Sequence, residues 1–320
     1  QLIKFFIKDK LKNQSLTKAI ITGFISVVAA IVIAYLLLGD RLSSPQMEDM
    51  GERIGAMMSG TYTGGTVNMA SIQKMLSVPE EVFVIANTLD MGVSFLYLMI
   101  LLGFGIKVLR KVLPSKEGTM GEEITNGIGF RKREPDSSTG RSRIKGGISS
   151  TAVAAVIVGI SYLIATFTDR HSAADTFMTM FILLITTFSI VASFVPWIRS
   201  LEGSSEVGMY LIYIFSITVA SMADFRGMTL SGGTNILLLL MIAVFGSLFL
   251  HIVLSKLFRI DADTMIITSV SLINSPPFVP VAASAMKNPQ VMITGLTSGI
   301  IGYAIGNYLG LGIFALLSSI

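Results

Sequence analysis

The sequence contains no cysteine and only two histidines, His171 and His251. Disulfides and thiolate metal sites are therefore excluded, and little is left for a zinc site or for imidazole catalysis. The sequence also lacks a zinc-protease motif, paired carboxylates on one helix and a Ser-His-Asp set. A membrane-embedded enzyme is thus the less favoured class, and we expect no catalytic residues and no bound metal beyond a possible sodium ion.

Charge is scarce, whereas long apolar runs are frequent. Only 14% of the residues are charged and 52% are hydrophobic, with a mean hydropathy of +0.72. Several runs reach the roughly 20 residues that span a bilayer as a helix. We therefore predict an all-α polytopic protein of the cell (inner) membrane, with the lipid bilayer and no nucleic acid as partner. The predicted spans are 20–38, 80–111, 148–167, 176–195, 207–223, 235–258 and 290–317.

Two segments interrupt this pattern at matching places. One reads Thr-Tyr-Thr-Gly-Gly-Thr-Val-Asn over 61–68, and the other reads Leu-Ile-Asn-Ser-Pro-Pro-Phe over 272–278. Neither a Gly-Gly nor a Pro-Pro pair continues a helix, so each segment predicts a break between two short helical pieces. At membrane depth such a break is tolerated only where it is buried in protein or lines a cavity. Paired breaks of this kind indicate the binding site of a secondary transporter.

The charges of the loops predict from which side of the membrane each broken segment enters. Between Lys107 and Lys145 there are ten Lys or Arg and five acids, which indicates a cytoplasmic linker. The lysine-rich N-terminal stretch is also expected in the cytoplasm. Both conditions hold if 47–76 is a re-entrant hairpin entered from outside and 263–287 is one entered from inside. The alternative, in which the hairpins cross the membrane, places the linker outside.

These counts predict an inverted repeat. Residues 1–112 form a partial first repeat, 113–147 the cytoplasmic linker and 148–320 the second repeat. The second repeat has four spans before its hairpin and the first has one. Symmetry therefore leads us to expect about three further spans upstream of this chain.

The breaks supply the candidate substrate-binding residues. Half-helix N-termini carry orphan N–H groups and partial positive charge, so two of them meeting at the midplane suit an anion. Glycine lets the backbone approach a ligand, and the neighbouring side chains offer hydroxyl and amide groups. The alternative is a tight hairpin that packs against its neighbours without a ligand. The candidates are Thr63, Gly64, Gly65, Thr66, Asn68, Asn274 and Ser275.

Asp90 is the one acid well inside a predicted span, where a charge is costly and normally serves function. It could coordinate sodium together with Asn87 and exposed carbonyls, or carry a proton. The alternative is an acid near a helix end, shielded by Lys74 or water. Asn307, in the paired span of the second repeat, is a further candidate ion ligand.

Other polar residues have simpler interpretations. Asp263 is expected to cap the helix that begins there, and 231–235 to form a loop and N-cap. His251 is expected to be interfacial or packed. The glycines of the last span recur every three to four residues on one face, which predicts close helix packing. These glycines are Gly295, Gly299, Gly302, Gly306 and Gly310.

The chain resembles a known family in three stretches, 63–70, 274–284 and 299–310. They read Thr-Gly-Gly-Thr-Val-Asn-Met-Ala, Asn-Ser-Pro-Pro-Phe-Val-Pro-Val-Ala-Ala-Ser and Gly-Ile-Ile-Gly-Tyr-Ala-Ile-Gly-Asn-Tyr-Leu-Gly. They resemble the YjcL-like membrane family, domain of unknown function 819, which is distantly similar to sodium/glutamate and 2-hydroxycarboxylate symporters. The resemblance implies hairpin tips at Gly64, Gly65, Asn274 and Ser275 that bind substrate and sodium, and an elevator movement. Residues 66–68 (Thr-Val-Asn) and the Pro-Pro break depart from the glycine-histidine pattern of the glutamate symporters and leave the substrate open.

We therefore predict a cation-coupled symporter for a small anionic or zwitterionic metabolite, such as a carboxylate or an amino acid. Alternating access would carry the hairpins between the two sides, with sodium the expected coupling ion. A channel or a receptor-like binding protein is the alternative. The oligomeric state stays open, with a homodimer as one candidate.

Overall fold

The computed structural model describes residues 14–42, 49–114, 140–169, 177–201, 203–221 and 230–320, and every regular element in these ranges is helical. A π-helical turn at Leu101–Gly105 lies within the helix Glu80–Val112. The 3₁₀ turns Pro276–Phe278 and Pro289–Val291 precede the helices Val279–Ala285 and Met292–Leu317. The helices are α1 (Gln14–Leu42), α2 (Met50–Met75), α3 (Glu80–Val112), α4 (Gly140–Asp169), α5 (Phe177–Ser193), α6 (Pro196–Arg199), α7 (Ser204–Ser221), α8 (Leu230–Leu257), α9 (Ala262–Ile273), α10 (Val279–Ala285) and α11 (Met292–Leu317).

Five of the described helices are long and apolar enough to cross a membrane. The prediction of a polytopic α-helical membrane protein is confirmed. Helix α5, with 17 residues, and α9, with 12, are shorter apolar helices. The five candidate spans are Ser15–Leu42, Glu80–Val112, Ile144–Asp169, Gly233–Leu257 and Pro289–Leu317.

The helices form two compact units. The first contains α1–α3 and α8–α11, and the second contains α4–α7. In the second unit the ring of Tyr162 packs edge-on against Phe177, with ring centroids 5.6 Å apart. Both predicted hairpins belong to the first unit. The division into repeats at 1–112 and 148–320 stays a prediction.

Helix α2 folds back on itself at Gly65, whose φ of 74° and ψ of −176° break the helix. The Arg53 guanidinium, near the start of α2, donates to the Leu76 carbonyl just after its end. Had α2 been straight, these residues would lie about 35 Å apart at 1.5 Å per residue. The halves 50–64 and 66–75 therefore form a helical hairpin, hairpin 1, with its tip at Gly65.

Helices α9 and α10 form the second hairpin, hairpin 2. Helix α9 ends at Ile273, and Ser275 has a φ of 75° before the 3₁₀ turn. At the open end Asn288 Nδ2 donates to Asp263 Oδ2 over 2.8 Å. The predicted break at 274–277 thus separates two antiparallel halves.

The two hairpins begin at opposite ends of α1. Ser15 Oγ donates to Asp261 Oδ2 over 3.3 Å, where hairpin 2 begins. Hairpin 1 begins near the other end of α1: a Cβ added to Gly51 would lie 2.8 Å from the Gly39 carbonyl oxygen. Ser15 and Gly39 are separated by about 36 Å along a helix. The open ends of the hairpins are therefore far apart along α1.

The hairpins share a backbone pattern at an offset of 210 residues. Positive φ occurs at each tip, Gly65 and Ser275, and again 12 residues later, at Ser77 and Lys287. A proline follows two residues after each of the latter positions. The order helix, hairpin, helix also occurs twice, as α1–α3 and as α8–α11. This correspondence is the structural counterpart of the matched breaks in the sequence.

The glycine face of α11 packs against both hairpins. Because glycine has no Cβ, backbone can approach closely: the space beside Gly302 is taken by the Thr63 carbonyl, and that beside Gly299 by the Pro276 ring. Further along, Gly310 faces Ile72. Helix α11 therefore runs past both tips, as close packing along this face predicts.

Two local predictions are wrong. The cap of α9 is Asp261, whose Oδ1 accepts from the Thr264 amide over 2.9 Å, whereas Asp263 lies in the first turn and pairs with Arg110. Residues 231–235 belong to α8, because that helix begins at Leu230. The Asn235 side chain, expected near the cap, donates instead to the Arg41 carbonyl at the end of α1 over 3.0 Å. Helix α4 begins at Gly140, inside the predicted linker; residues 115–139 of that linker lie outside the described residues.

Candidate functional site

The tips of the two hairpins meet. A Cβ placed on Gly65 would lie 2.5 Å from Ser275 Oγ and 3.5 Å from Tyr303 Cε1. Gly65 is buried and Ser275 is half-buried. The structure therefore brings together two predicted tip residues that are 210 positions apart. Their binding of a substrate stays a prediction.

The polar side chains of the first tip differ in what they contact. Thr63 Oγ1 donates to the Ser59 carbonyl over 2.7 Å. Asn68 Nδ2 approaches the carbonyls of Gly302 and Tyr303 at 3.4 and 3.5 Å, and its side chain also occupies the space beside Gly64. Asn68 thus ties the tip to α11, whereas the Thr63 hydroxyl is bonded within its own helix half. The half-buried Thr66 remains beside the tip.

The second tip offers few backbone donors. Pro276 and Pro277 have no N–H, and the Phe278 amide already donates to the Ser275 carbonyl over 3.2 Å. The sequence analysis predicts that each tip presents the N-terminus of a half-helix to an anion. This prediction fits hairpin 1 better than hairpin 2. On hairpin 2, the side chains of Asn274 and Ser275 would therefore form the hydrogen bonds to a ligand.

Asn274 connects the second tip to α3. The residue is 8% exposed, and its Nδ2 donates to the Ser94 carbonyl over 2.9 Å. Its Oδ1 is buried and accepts no hydrogen bond from any residue that the structure describes. The NH₂ group of this side-chain amide is thus hydrogen-bonded, whereas its oxygen is not.

Asp90 lies beside the same part of α3, at 7% exposure. Ser94 Oγ donates to Asp90 Oδ1 over 3.2 Å. The buried Tyr62 hydroxyl lies next to the carboxylate but outside hydrogen-bond geometry. The ion pairs found in the described ranges, Arg53–Asp49 and Arg110–Asp263, do not include Asp90. The carboxylate is therefore buried among neutral polar groups.

Lys74 does not shield this carboxylate as the alternative interpretation requires. It is exposed and lies near the open end of hairpin 1, two residues before Leu76. Asp90 instead lies beside Tyr62, three residues before the tip. From the tip at Gly65 to Lys74 the helix is about 13 Å long. Lys74 and Asp90 therefore lie near opposite ends of hairpin 1.

The other two candidate ion ligands are buried. Asn87 is 3% exposed, and its Nδ2 lies 3.9 Å from Met91 Sδ. Asn307 follows Gly306, which packs against Asn68. Their participation in an ion site stays a prediction. Within the described ranges, no group of three or more His, Cys, Asp or Glu could hold a metal ion.

Three residues of the site were not identified from the sequence. Ser94 could have been found, because it lies four residues after Asp90 on the same helix face. Tyr62 and Tyr303 carry no comparable signal. Tyr62 reaches Asp90, and the Tyr303 hydroxyl reaches Ser275, only through the folding of the hairpins.

The chain is similar to a known membrane protein. The chain is 24% identical over 291 residues to the uncharacterized membrane protein YjcL of Bacillus subtilis (strain 168), an alignment that covers 89% of this chain and 72% of that relative. No solved structure matches the chain. A family model matches residues 11–320. The chain therefore belongs to the membrane family described as protein of unknown function (DUF819).

Proposed function

We propose that the protein is a secondary transporter that couples the movement of a cation, sodium in the first instance, to that of a small anionic or zwitterionic metabolite. The observation that carries the proposal is the contact between Gly65 and Ser275 beside the buried Asp90 carboxylate. Broken helices that meet inside a membrane protein are typical of transporter sites. A buried intramembrane carboxylate without a basic partner is typical of a cation or proton site.

The substrate end of the site would bind a carboxylate without arginine. The half-helix 66–75 begins at the tip, so its first N–H groups and its dipole favour an anion there. The hydroxyls of Thr66 and Ser275 would add hydrogen bonds. Arg53 and Arg110 lie at the open ends of the hairpins instead. A carboxylate or a zwitterionic amino acid fits this chemistry.

Both hairpins would be re-entrant, entered from opposite faces of the membrane. Support comes from the opposite ends of α1 that their first residues contact, Gly39 and Ser15. The tips would then meet near the midplane, where access could alternate. Because both hairpins belong to one compact unit, they would move together, as an elevator mechanism requires.

The test uses purified full-length protein and a panel of dicarboxylates, hydroxycarboxylates and amino acids, each in sodium chloride or choline chloride. A compound that binds the folded state raises its thermal stability, and coupling makes this gain larger in sodium. Uptake of the best compound into proteoliposomes against its gradient, driven by sodium, would then separate a transporter from a channel or a receptor. Downhill flux alone would overturn the proposal in favour of a channel.

A further inference from the structure

Two buried oxygen atoms in the surroundings of Asp90 have no hydrogen-bond partner among the described residues. They are Asn274 Oδ1 and the Tyr62 hydroxyl oxygen. The Tyr62 side chain is fully buried and Asn274 is 8% exposed. A buried polar atom without a partner is costly. The Tyr62 hydroxyl lies next to the Asp90 carboxylate and Asn274 is linked to it through Ser94, so the two oxygens call for a ligand that they share.

Ser94 joins Asp90 to Asn274. Its backbone carbonyl accepts from Asn274 Nδ2 over 2.9 Å, and its hydroxyl donates to Asp90 Oδ1 over 3.2 Å. The amide of the second tip and the carboxylate of α3 thus contact one and the same residue. Tyr62 approaches the carboxylate from hairpin 1. Three elements that are distant in sequence converge here.

Charge and ligand type select the ion. The cluster has one carboxylate, and its other groups are neutral oxygens, which suit hard cations. A single positive charge would neutralise Asp90, whereas a divalent ion would leave an excess positive charge buried. We infer that a monovalent cation binds between the Asp90 carboxylate, Asn274 Oδ1 and the Tyr62 hydroxyl, so that Asn274 is a cation ligand and not a substrate ligand.

This site gives a physical route for coupling, and in that respect it rests on the proposed function. Asn274 directly precedes Ser275, which contacts Gly65 of the other tip. A cation held by Asn274 would therefore fix the tip to which substrate binds. By thermodynamic reciprocity, substrate would then tighten cation binding by the same factor.

The first test compares two tyrosines. Tyr62→Phe removes the unpartnered hydroxyl, whereas Tyr97→Phe removes one that is bonded to Ser269 Oγ over 2.6 Å. The full-length protein is titrated with sodium chloride at constant ionic strength, without organic substrate, and thermal stability is followed. For Tyr62→Phe the half-maximal sodium concentration should rise about ten-fold, as expected for the loss of one ligating group. For Tyr97→Phe it should stay unchanged even if the protein melts at a lower temperature.

The second test compares two asparagines of hairpin 2. Asn274→Ala should raise the half-maximal sodium concentration by a similar factor of about ten. Asn288→Ala, at the open end of the hairpin, should not. Calcium or magnesium should not replace sodium in the wild type. Should a divalent ion stabilise better, or should stability follow pH and no metal ion, the inference would be overturned.

The outcome is independent of transport. If both site variants keep the wild-type sodium midpoint while uptake remains sodium-driven, the assigned ligands are wrong and the proposed function stands. If the midpoints shift as expected but no compound is moved uphill, the cation site stands and the transporter proposal fails.

Discussion

Gly65 and Ser275 occupy the same backbone conformation on opposite sides of one contact. Their φ values are 74° and 75°, with ψ of −176° and 160°. This region is essentially restricted to glycine, yet one of the two tips carries a serine. Such strain persists only where the surroundings impose it, and it is concentrated at functional sites. The contact between the two hairpins is therefore also a place where stability is lost.

Gly65→Ala should destabilise the protein by about 1–3 kcal/mol, because alanine is strained at this backbone conformation. Its Cβ would also meet Ser275 Oγ. The change should separate the tips and lower the response to any ligand. Thermal unfolding with and without the best compound measures both effects.

The matched control is Gly92→Ala on α3, where an added Cβ would meet nothing within 4 Å. Alanine there should be neutral or stabilising by up to about 1 kcal/mol, since glycine weakens a helix. Equal effects of the two substitutions would contradict the tip contact.

Ser275→Gly should act in the opposite direction on stability. Glycine relieves the strain at a φ of 75°, which should raise stability by about 1 kcal/mol. The loss of Oγ should at the same time weaken substrate binding. Lys287→Gly is the control: its φ is also positive, at 54°, but it lies at the open end, so it should not change the response to ligand. A variant of Ser275 that keeps full ligand response would remove this hydroxyl from the proposed site.

The sequence predicted the places where helices break better than the contacts that the breaks create. Gly-Gly and Asn-Ser-Pro-Pro act locally, through backbone freedom and missing N–H groups, so both tips could be located without a structure. The glycine face of α11 was likewise readable from its spacing. The neighbour of Asp90 on hairpin 1 was not, because Tyr62 and Asp90 come together only after α2 has folded back on itself.

Capping shows the same limit on a smaller scale. Asp261 and Asp263 are both chemically suited to cap α9, and the sequence favoured the wrong one. The choice is settled by Arg110, which reaches Asp263 from another helix with Nε–Oδ1 and Nη2–Oδ2 distances of 2.8 and 2.9 Å. Non-local pairs of this kind leave no periodic signal.

Arg110→Gln should loosen the open end of hairpin 2. The guanidinium pairs with Asp263 and also donates to the Met286 carbonyl over 2.7 Å, so it ties both halves of the hairpin to α3. Because the Arg110 side chain is 38% exposed, solvent screens the pair and the expected cost is only about 1 kcal/mol. A double-mutant cycle with Asp263→Asn, followed by thermal unfolding, should give a coupling energy of similar size; strictly additive effects would show that the pair contributes nothing.

The absence of native cysteine makes the placement of the hairpins testable in cells. Ser77→Cys and Lys287→Cys each put a thiol on an exposed residue at the open end of one hairpin. An impermeant thiol reagent added outside should label the first in intact cells, and should label the second only after the membrane is opened. Labelling of both from one side would exclude the opposite entry of the two hairpins.

Asp90→Asn tests the cation site with the smallest change in volume. In sodium-free buffer the variant should be more stable than the wild type, because it no longer buries a carboxylate that pairs with no basic residue of the described ranges. In sodium it should gain nothing, since the charge that attracts the ion is gone, so the two stability curves should cross as sodium is added. Asp40→Asn, at an exposed position near the end of α1, should leave the sodium response intact. If Asp90→Asn follows the wild-type curve at every sodium concentration, Asp90 is a structural residue and the cation that drives transport must bind elsewhere.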